Sequence, residues 1–510
     1  MEPVSGDGTS IPIHISLTNL NCLKLCRGIE RKAFPPDPLF QERSHMKAIF
    51  EELIRNIPDY KVFLTVDELD AHSFALAKQY PDIVSIFPFG KTKENRDLFC
   101  LKIGSGSQNA LMFGCPHPNE PIGTMMLEYF SEQLAKNKAL RDELDYTWYI
   151  VKVWDADGLQ LNEGWLKGPY TIRNYSRNFF RPAGFKQVDW TFPIDYKGYH
   201  FDAAVPETEA MMKLIDEIQP HFIYSLHNAG FGGVYWYMSR PLPELYDDLY
   251  AAANREQVPL NLGEPEVPYC KPLAPAIYPN LGTEQEIDYL ESYGAKEIDK
   301  ILKVGNCSES YARTKYRSFT LLTELPYFYD PRIMQNDVPG TMTRRASVEV
   351  SLDMEAKSNA YLRSALEDMK DEISADNPFR LAVDAFSENR RDESTRKMIA
   401  ENPEYNRTAT VAEEFDNVLM SRFYKSLSYG MVIRMAEYEL SRMQKVGEQD
   451  EKKEAHLKAW CKNAERQHSA LMDTLEKELN YSVVSIRKLV SIQLACGLLV
   501  SDYLKDKNIV

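Results

Sequence analysis

The run Ala110-Leu111-Met112-Phe113-Gly114-Cys115-Pro116-His117-Pro118-Asn119-Glu120 passes from an apolar strand-like segment into a turn that carries a His-x-x-Glu step. A helical pattern starts at Ile122 and carries Met125, Met126, Leu127 and Phe130. A strand that ends near a histidine, with a glutamate three residues on, can aim an imidazole nitrogen and a carboxylate oxygen at one point. Zinc is commonly held by such a pair plus one distant histidine, with a fourth position left for water. Of the nine histidines, only His117 has a glutamate at this spacing. One such step is also expected by chance, so the surrounding chain has to decide between a metal ligand and an ordinary loop histidine.

Working outward, Thr65-Val66-Asp67-Glu68 is a capping box and predicts a helix with Leu69, Leu76, Ala77 and Tyr80 on one face, ended by Pro81. A helix is also expected from Glu42 to Arg55. Strands are expected at 83–87, 98–103, 110–113 and 146–154, with a polar hairpin connection, Gly90 to Asp97, between the first two. Pro206-Glu207-Thr208-Glu209 opens a helix that Pro220 ends. His221 to Leu226 is a strand with His227 at its end, and Phe319 to Thr323 is a strand with Glu324 at its end. Strands alternating with helices predict an α/β fold, a mostly parallel mixed sheet flanked by helices. His117, His227 and Glu324 then all fall at C-terminal strand ends, where open α/β sheets place their ligand crevice. His221 begins its strand and belongs to the other end. The fifty residues after Asp157 show little periodicity, and residues 241–279 read as a proline-punctuated insertion over one face.

Beyond Pro339-Gly340 the pattern becomes helical, as at Leu362, Leu366, Met369 and Ile373, or at Leu471 and Leu475. A length of 510 residues is too great for one compact core, so two or three domains are expected. The expected boundaries are an N-terminal extension at 1–34, a catalytic domain at 35–345 and an all-helical C-terminal region at 346–510. His456 and His468 read as solvated helix-face residues. The net charge of −15 opposes binding to nucleic acid or an anionic membrane. The first residues lack a basic segment followed by an apolar one, and Leu494 to Val500 is too short to span a bilayer, so a cytoplasmic location is expected. The eight cysteines form no Cys-x-x-Cys motif and are expected to be reduced thiols, with Cys115 a packing residue.

From about residue 45 to 345 the chain resembles the zinc metallocarboxypeptidase (funnelin) family. The resemblance rests on blocks that occur in the family's order. Phe89-Gly90-Lys91-Thr92 through Arg96-Asp97-Leu98 is similar to its Gly-Lys-Ser…Gly-Arg-Asp hairpin. His117-x-x-Glu120 matches the first two zinc ligands, and Asp155-Ala156-Asp157-Gly158 resembles the Asn-Pro-Asp-Gly turn. Ser176-Arg177-Asn178-Phe179 resembles the Asn-Arg-Asn-Phe block. Ser225-Leu226-His227-Asn228 matches the third zinc ligand and is followed by Tyr235-Trp236-Tyr237. Thr323-Glu324-Leu325-Pro326 matches the segment with the catalytic glutamate.

The resemblance implies one zinc per chain on His117, Glu120 and His227. It also implies a zinc-activated water that attacks a peptide or amide carbonyl while Glu324 takes and returns the proton. It implies recognition of a free substrate carboxylate by Arg177, with Ser176 standing where the family has asparagine and with Asn178, Tyr235 and Tyr237 beside it. Lys167 and Arg173 are the two candidates for stabilising the developing negative charge. The tyrosine that the family carries upstream of its glutamate has no counterpart; Leu302 and Lys303 stand there. The leading expectation is a metallocarboxypeptidase. Two alternatives stay open: an amidohydrolase or deacylase of a small N-acyl amino acid or amidated metabolite, and a non-catalytic zinc-fold binding module. The substrate, the oligomeric state and the role of residues 346–510 are left undetermined.

Overall fold

The computed structural model describes residues 46–388, 392–505 and 507, so the expected N-terminal extension lies outside the described residues. The capping box at Thr65 forms as its sequence dictates. The Thr65 amide donates to Glu68 Oε2 at 2.7 Å, and the Glu68 amide donates to Thr65 Oγ1, opening the helix Val66–Gln79.

The strands in chain order are β1 (Val84–Lys91), β2 (Asp97–Ile103), β3 (Gln108–Gly114), β4 (Tyr146–Val151), β5 (Ile194–Tyr196), β6 (Tyr199–Phe201), β7 (Phe222–His227), β8 (Tyr235–Met238), β9 (Ile277–Pro279) and β10 (Phe319–Glu324). Eight of them form one mixed sheet in the order β1-β2-β4-β3-β7-β10-β8-β9, and β5 pairs with β6 as a separate hairpin. The central four, β4, β3, β7 and β10, are parallel, while β1, β2 and β8 join antiparallel. Alternation along β3 splits the core. Ala110 and Met112 pack with Ile122, Met126 and Leu226 on one face. Leu111 and Phe113 pack with Met211, Leu214 and Ile215 of the helix Pro206–Ile218 on the other.

Two expectations are corrected. Residues 241–279 are not simply a cover: they contain the helix Tyr246–Glu256 and supply the edge strand β9. The fifty residues after Asp157 are not irregular throughout, since Ala156–Leu166 and Ile172–Asn178 are helical. The stretch from residue 346 is helical as expected, but 345/346 is no boundary in the packing. The described residues from Met46 onward fall in one compact unit, and one apolar cluster runs from Phe50 through the sheet to Leu504. The last long helix, Ile486–Leu504, lies directly against the sheet. Tyr224 of β7 donates to the Gln493 carbonyl at 2.8 Å, and Trp236 Nε1 of β8 donates to Cys496 Sγ at 3.4 Å. No helix among the described residues is long and apolar enough to cross a membrane.

Candidate metal centre

β3 delivers the first two candidate ligands. After Gly114 the backbone turns through a left-handed Cys115 (φ 54°), a conformation that few residues other than glycine adopt. The Asp155 amide holds the Cys115 carbonyl at 3.0 Å, and the Cys115 thiol donates to the His117 carbonyl at 3.3 Å. The thiol is buried and its pKa is pushed well up by burial, so Cys115 is a packing and turn residue. The turn places His117 Nδ1 3.1 Å from both Glu120 oxygens.

β7 delivers the third. His227 Nδ1 lies 3.0 Å from Glu120 Oε2, while its Nε2 pairs with Ser225 Oγ at 2.8 Å. The carbonyl of His227 accepts from Gln493 Nε2 at 3.2 Å. One ligand atom from each of His117, Glu120 and His227 lies within 4.8 Å of the others, and all three residues are buried. Two imidazoles and a carboxylate form the donor set that zinc takes in catalytic sites, so these residues fit that ion. Burial, reinforced by Arg181, lowers the His117 pKa to about 3. Glu120 is pushed up by burial, but the two imidazoles outweigh that and hold it well below the usual carboxylate range.

Glu324 ends β10 and is the register partner of His227 on the neighbouring parallel strand. Its Oε1 lies 3.7 Å from His227 Nδ1, and its buried Oε2 has no partner among the described residues. Burial first, then the charges of Glu120 and Glu266, raise its pKa well above the ordinary value. A buried carboxylate with a free oxygen beside a metal-ligand set is equipped to hold and release a proton.

Asn228 ties these strand ends together. Its Oδ1 accepts from the Ile122 amide at 3.1 Å and from Tyr327 Oη at 2.8 Å, while its Nδ2 donates to the Leu325 carbonyl at 3.0 Å. Asn119 Nδ2 donates to Tyr175 Oη at 3.2 Å.

The basic residues fall differently from expectation. Lys167 donates to Glu68 at 2.6 Å and to the Phe63 carbonyl. Arg173 pairs with Asp473 and Glu476, and Arg177 with Glu437 and Glu465, all on the long C-terminal helices. Ser176 is fully buried, with its hydroxyl 2.9 Å from both Ser426 Oγ and His468 Nε2. His468 is therefore a core residue and not a solvated one. Asn178 Nδ2 donates to the Asn174 carbonyl. None of these groups is brought to the His117–Glu120–His227 cluster.

The basic residue that does reach it is Arg181, whose Nη1 lies 3.0 Å from Glu120 Oε1 and whose Nε donates to Gln187 Oε1 at 3.2 Å. Sequence reasoning missed it. The available signal was Phe179-Phe180, two apolar residues that bury just past the helix, where Phe179 is in extended backbone. Tyr235 and Tyr237 stand beside Glu324, and their hydroxyls both donate to Glu266, at 2.5 and 3.0 Å.

Residues 70–330 match the profile of the zinc carboxypeptidase family, Peptidase_M14, and the chain belongs to that metallopeptidase family. Its curated relatives are distant. Human carboxypeptidase D is 22% identical over 297 residues, 54% of this chain and 20% of that protein. Human carboxypeptidase A6 is 27% identical over 128 residues, 24% of this chain and 29% of that protein. Rat mast cell carboxypeptidase A is 30% identical over 111 residues, 20% of this chain and 26% of that protein. The matched stretches thus span less than a third of these relatives' own length. Among solved structures, carboxypeptidase A from Helicoverpa armigera aligns at a TM-score of 0.34 and 16% identity, over 55% of this chain and 71% of that one.

Proposed function

We propose that this chain is a zinc-dependent hydrolase of peptide or amide bonds, with His117, Glu120 and His227 holding the metal. The observation that carries this reading is the buried Glu324 carboxylate, with one free oxygen, beside three converging ligand side chains. Zinc bound there would act as a Lewis acid towards the carbonyl and lower the pKa of water towards neutrality. Glu324 takes the water proton and hands it to the leaving nitrogen. Ser225 fixes the ring of His227 through Nε2, which leaves Nδ1 for the metal side. Arg181, and not Lys167 or Arg173, is the cation placed to steady negative charge that develops on the carbonyl oxygen.

Recognition of a free carboxylate by Arg177 is not carried forward, because two glutamates of the helical region already occupy its guanidinium. That occupancy favours keeping the second reading, an amide hydrolase whose substrate need not end in a carboxylate.

The test is incubation of the zinc-loaded chain and of Glu324→Gln with matched blocked dipeptides as free acids and amides, read by mass spectrometry. Glu324→Gln is expected to lose roughly a hundred- to ten-thousand-fold in turnover. Its zinc content by elemental analysis should match wild type. Equal turnover in the variant would reduce Glu324 to a strand-end carboxylate.

A further inference from the structure

Behind the residues that flank the metal ligands lies a cavity of about 240 Å³. Its lining is rich in rings, among them Phe63, Trp165, Tyr170, Tyr175, Tyr327 and Phe328. The ring of Phe63 stands edge-on to those of Trp165, Tyr170 and Tyr327, with centroids 5.5 to 5.8 Å away. None of the metal ligands lines the cavity, nor does Glu324 or Arg181. Phe63 closes it on one side and Val484 and Ile486 on another, and these lie outside the family-matched residues 70–330. Its rim carries the exposed Asp59, Lys61 and Val483, so a small molecule can enter from solvent.

Protein interiors leave few voids larger than a water molecule. An engineered apolar cavity of about 150 Å³ stays dry and takes up benzene. The present one is larger, with room for one or two fused rings. The polar atoms of its rings are already engaged. Tyr170 Oη donates to the Leu166 carbonyl at 2.7 Å, and Trp165 Nε1 donates to Asn162 Oδ1 at 3.3 Å. Tyr327 Oη donates to Asn228 Oδ1 at 2.8 Å, and Tyr175 Oη accepts from Asn119 Nδ2 at 3.2 Å. The hydroxyls of Thr171 and Ser485 cap helices, accepting from the amides of Asn174 and Lys488. At the rim Lys61 pairs with Asp59, so neither offers an unmatched charge. Rings with satisfied polar atoms favour a flat, uncharged aromatic molecule. Ring–ring contacts add attraction beyond the area they bury, and an ion would lose its hydration without a partner.

Two walls of the cavity reach the metal side. Tyr175 holds Asn119, the neighbour of Glu120, and Tyr327 holds Asn228, the neighbour of His227. The Asn228 amide in turn donates to Glu120 Oε2 at 3.3 Å. A ring seated against both tyrosines removes their room to move, and so orders the residues beside the ligand set before a metal arrives.

We propose that this cavity is a second ligand site, which takes a flat, uncharged molecule of one or two aromatic rings and is coupled to the metal-ligand set through Tyr175 and Tyr327. The proposal does not depend on the hydrolase reading. Tyr175 and Tyr327 are positioning residues in this scheme, and the coupling runs both ways, so the metal tightens the ring ligand as the ring ligand tightens the metal.

Two measurements on the full chain test it. In the first, naphthol, its puckered analogue decahydronaphthol and the anion naphthoate are titrated into the metal-free protein by calorimetry. Naphthol is expected to bind once per chain, about tenfold more tightly than either of the others. Val484→Phe puts a ring into the cavity and should weaken naphthol about tenfold. Val483→Trp, at the exposed rim, gives the same test should the buried variant fail to fold. Equal affinities for the three compounds, or naphthol binding unchanged in whichever variant folds, would overturn the proposal. In the second, zinc is titrated with and without saturating naphthol. Naphthol should tighten zinc about fivefold. Tyr327→Phe keeps the ring and removes the hydroxyl, so it should bind naphthol as wild type does while the effect on zinc shrinks. A zinc affinity that ignores naphthol, or one that naphthol shifts equally in Tyr327→Phe, would also overturn it.

Discussion

Arg177 and Arg181 stand four residues apart and face opposite ways. Arg177 leaves the last turn of the helix Ile172–Asn178 towards Glu437 and Glu465, while Arg181 lies past the extended Phe179 and reaches Glu120. Arg177→Met should therefore act on stability and not on substrate choice. Its ion pairs are partly exposed, so the expected loss is about 0.5–1 kcal/mol, read by urea unfolding. The kcat/KM ratio for a matched free-acid and amide substrate should stay unchanged. A fall confined to the free acid would return Arg177 to substrate recognition. His468 gives a residue-scale prediction in pH. Burial lowers its imidazole pKa to about 4 from an ordinary 6.5, so it is neutral beside Ser176 in the folded chain. Between those values the unfolded chain binds a proton that the folded chain refuses. The stability it contributes is full above pH 6.5 and is lost as the pH falls towards 4. His468→Gln should flatten that loss, so its melting temperature should drop less than wild type's between about pH 7.5 and 5.

At the scale of the element, the helix Ile486–Leu504 shows how an apolar run became core. Leu494 to Val500 is buried on all sides, as expected of a helix enclosed by other elements and not of one at a surface. It crosses β7 at Gly497, where an added Cβ would lie 2.6 Å from the Tyr224 ring. Gly497→Ala should therefore destabilise the protein by about 1–3 kcal/mol through overpacking, less up to about 1 kcal/mol returned by the better helix former. A net loss by chemical denaturation is expected. A gain would show that Tyr224 can move aside freely. Because Gln493 of the same helix donates to the His227 carbonyl, the variant should also slow turnover more than it weakens substrate binding.

Across the whole molecule, the C-terminal helices complete the fold. They supply carboxylates to Arg173 and Arg177, a hydroxyl and an imidazole to Ser176, and the helix that lies against β7 and β10. A chain cut at residue 345 would leave the apolar face of Tyr224 and Trp236 uncovered. Its expected behaviour is aggregation or loss of cooperative unfolding. The full chain should show a single calorimetric transition for residues 46–510. A separate, earlier transition for the helical region, or a soluble and cooperatively folded truncation, would count against this integration.

The strands β1 to β4, β7 and β10, and the places of His117, Glu120, His227 and Glu324 at or just past strand ends, were legible from the residues, because local patterning fixes them. A strand of known polarity ends where its apolar run stops, and a side chain at that end belongs to the crevice edge. The family resemblance rested on the same local blocks. What the sequence could not decide was direction. Whether Arg173, Arg177 or Arg181 faces the metal ligands depends on a half-turn of backbone after Asn178 and on carboxylates some 260 to 300 residues away. Whether His468 is solvated, and whether residues 346–510 stand apart, likewise depends on which apolar faces meet. Such contacts join residues distant in sequence, and periodicity carries no record of them. Tertiary packing alone turned the expected substrate arginine into a strut, brought Arg181 to Glu120, and joined the helical region to the sheet as one core.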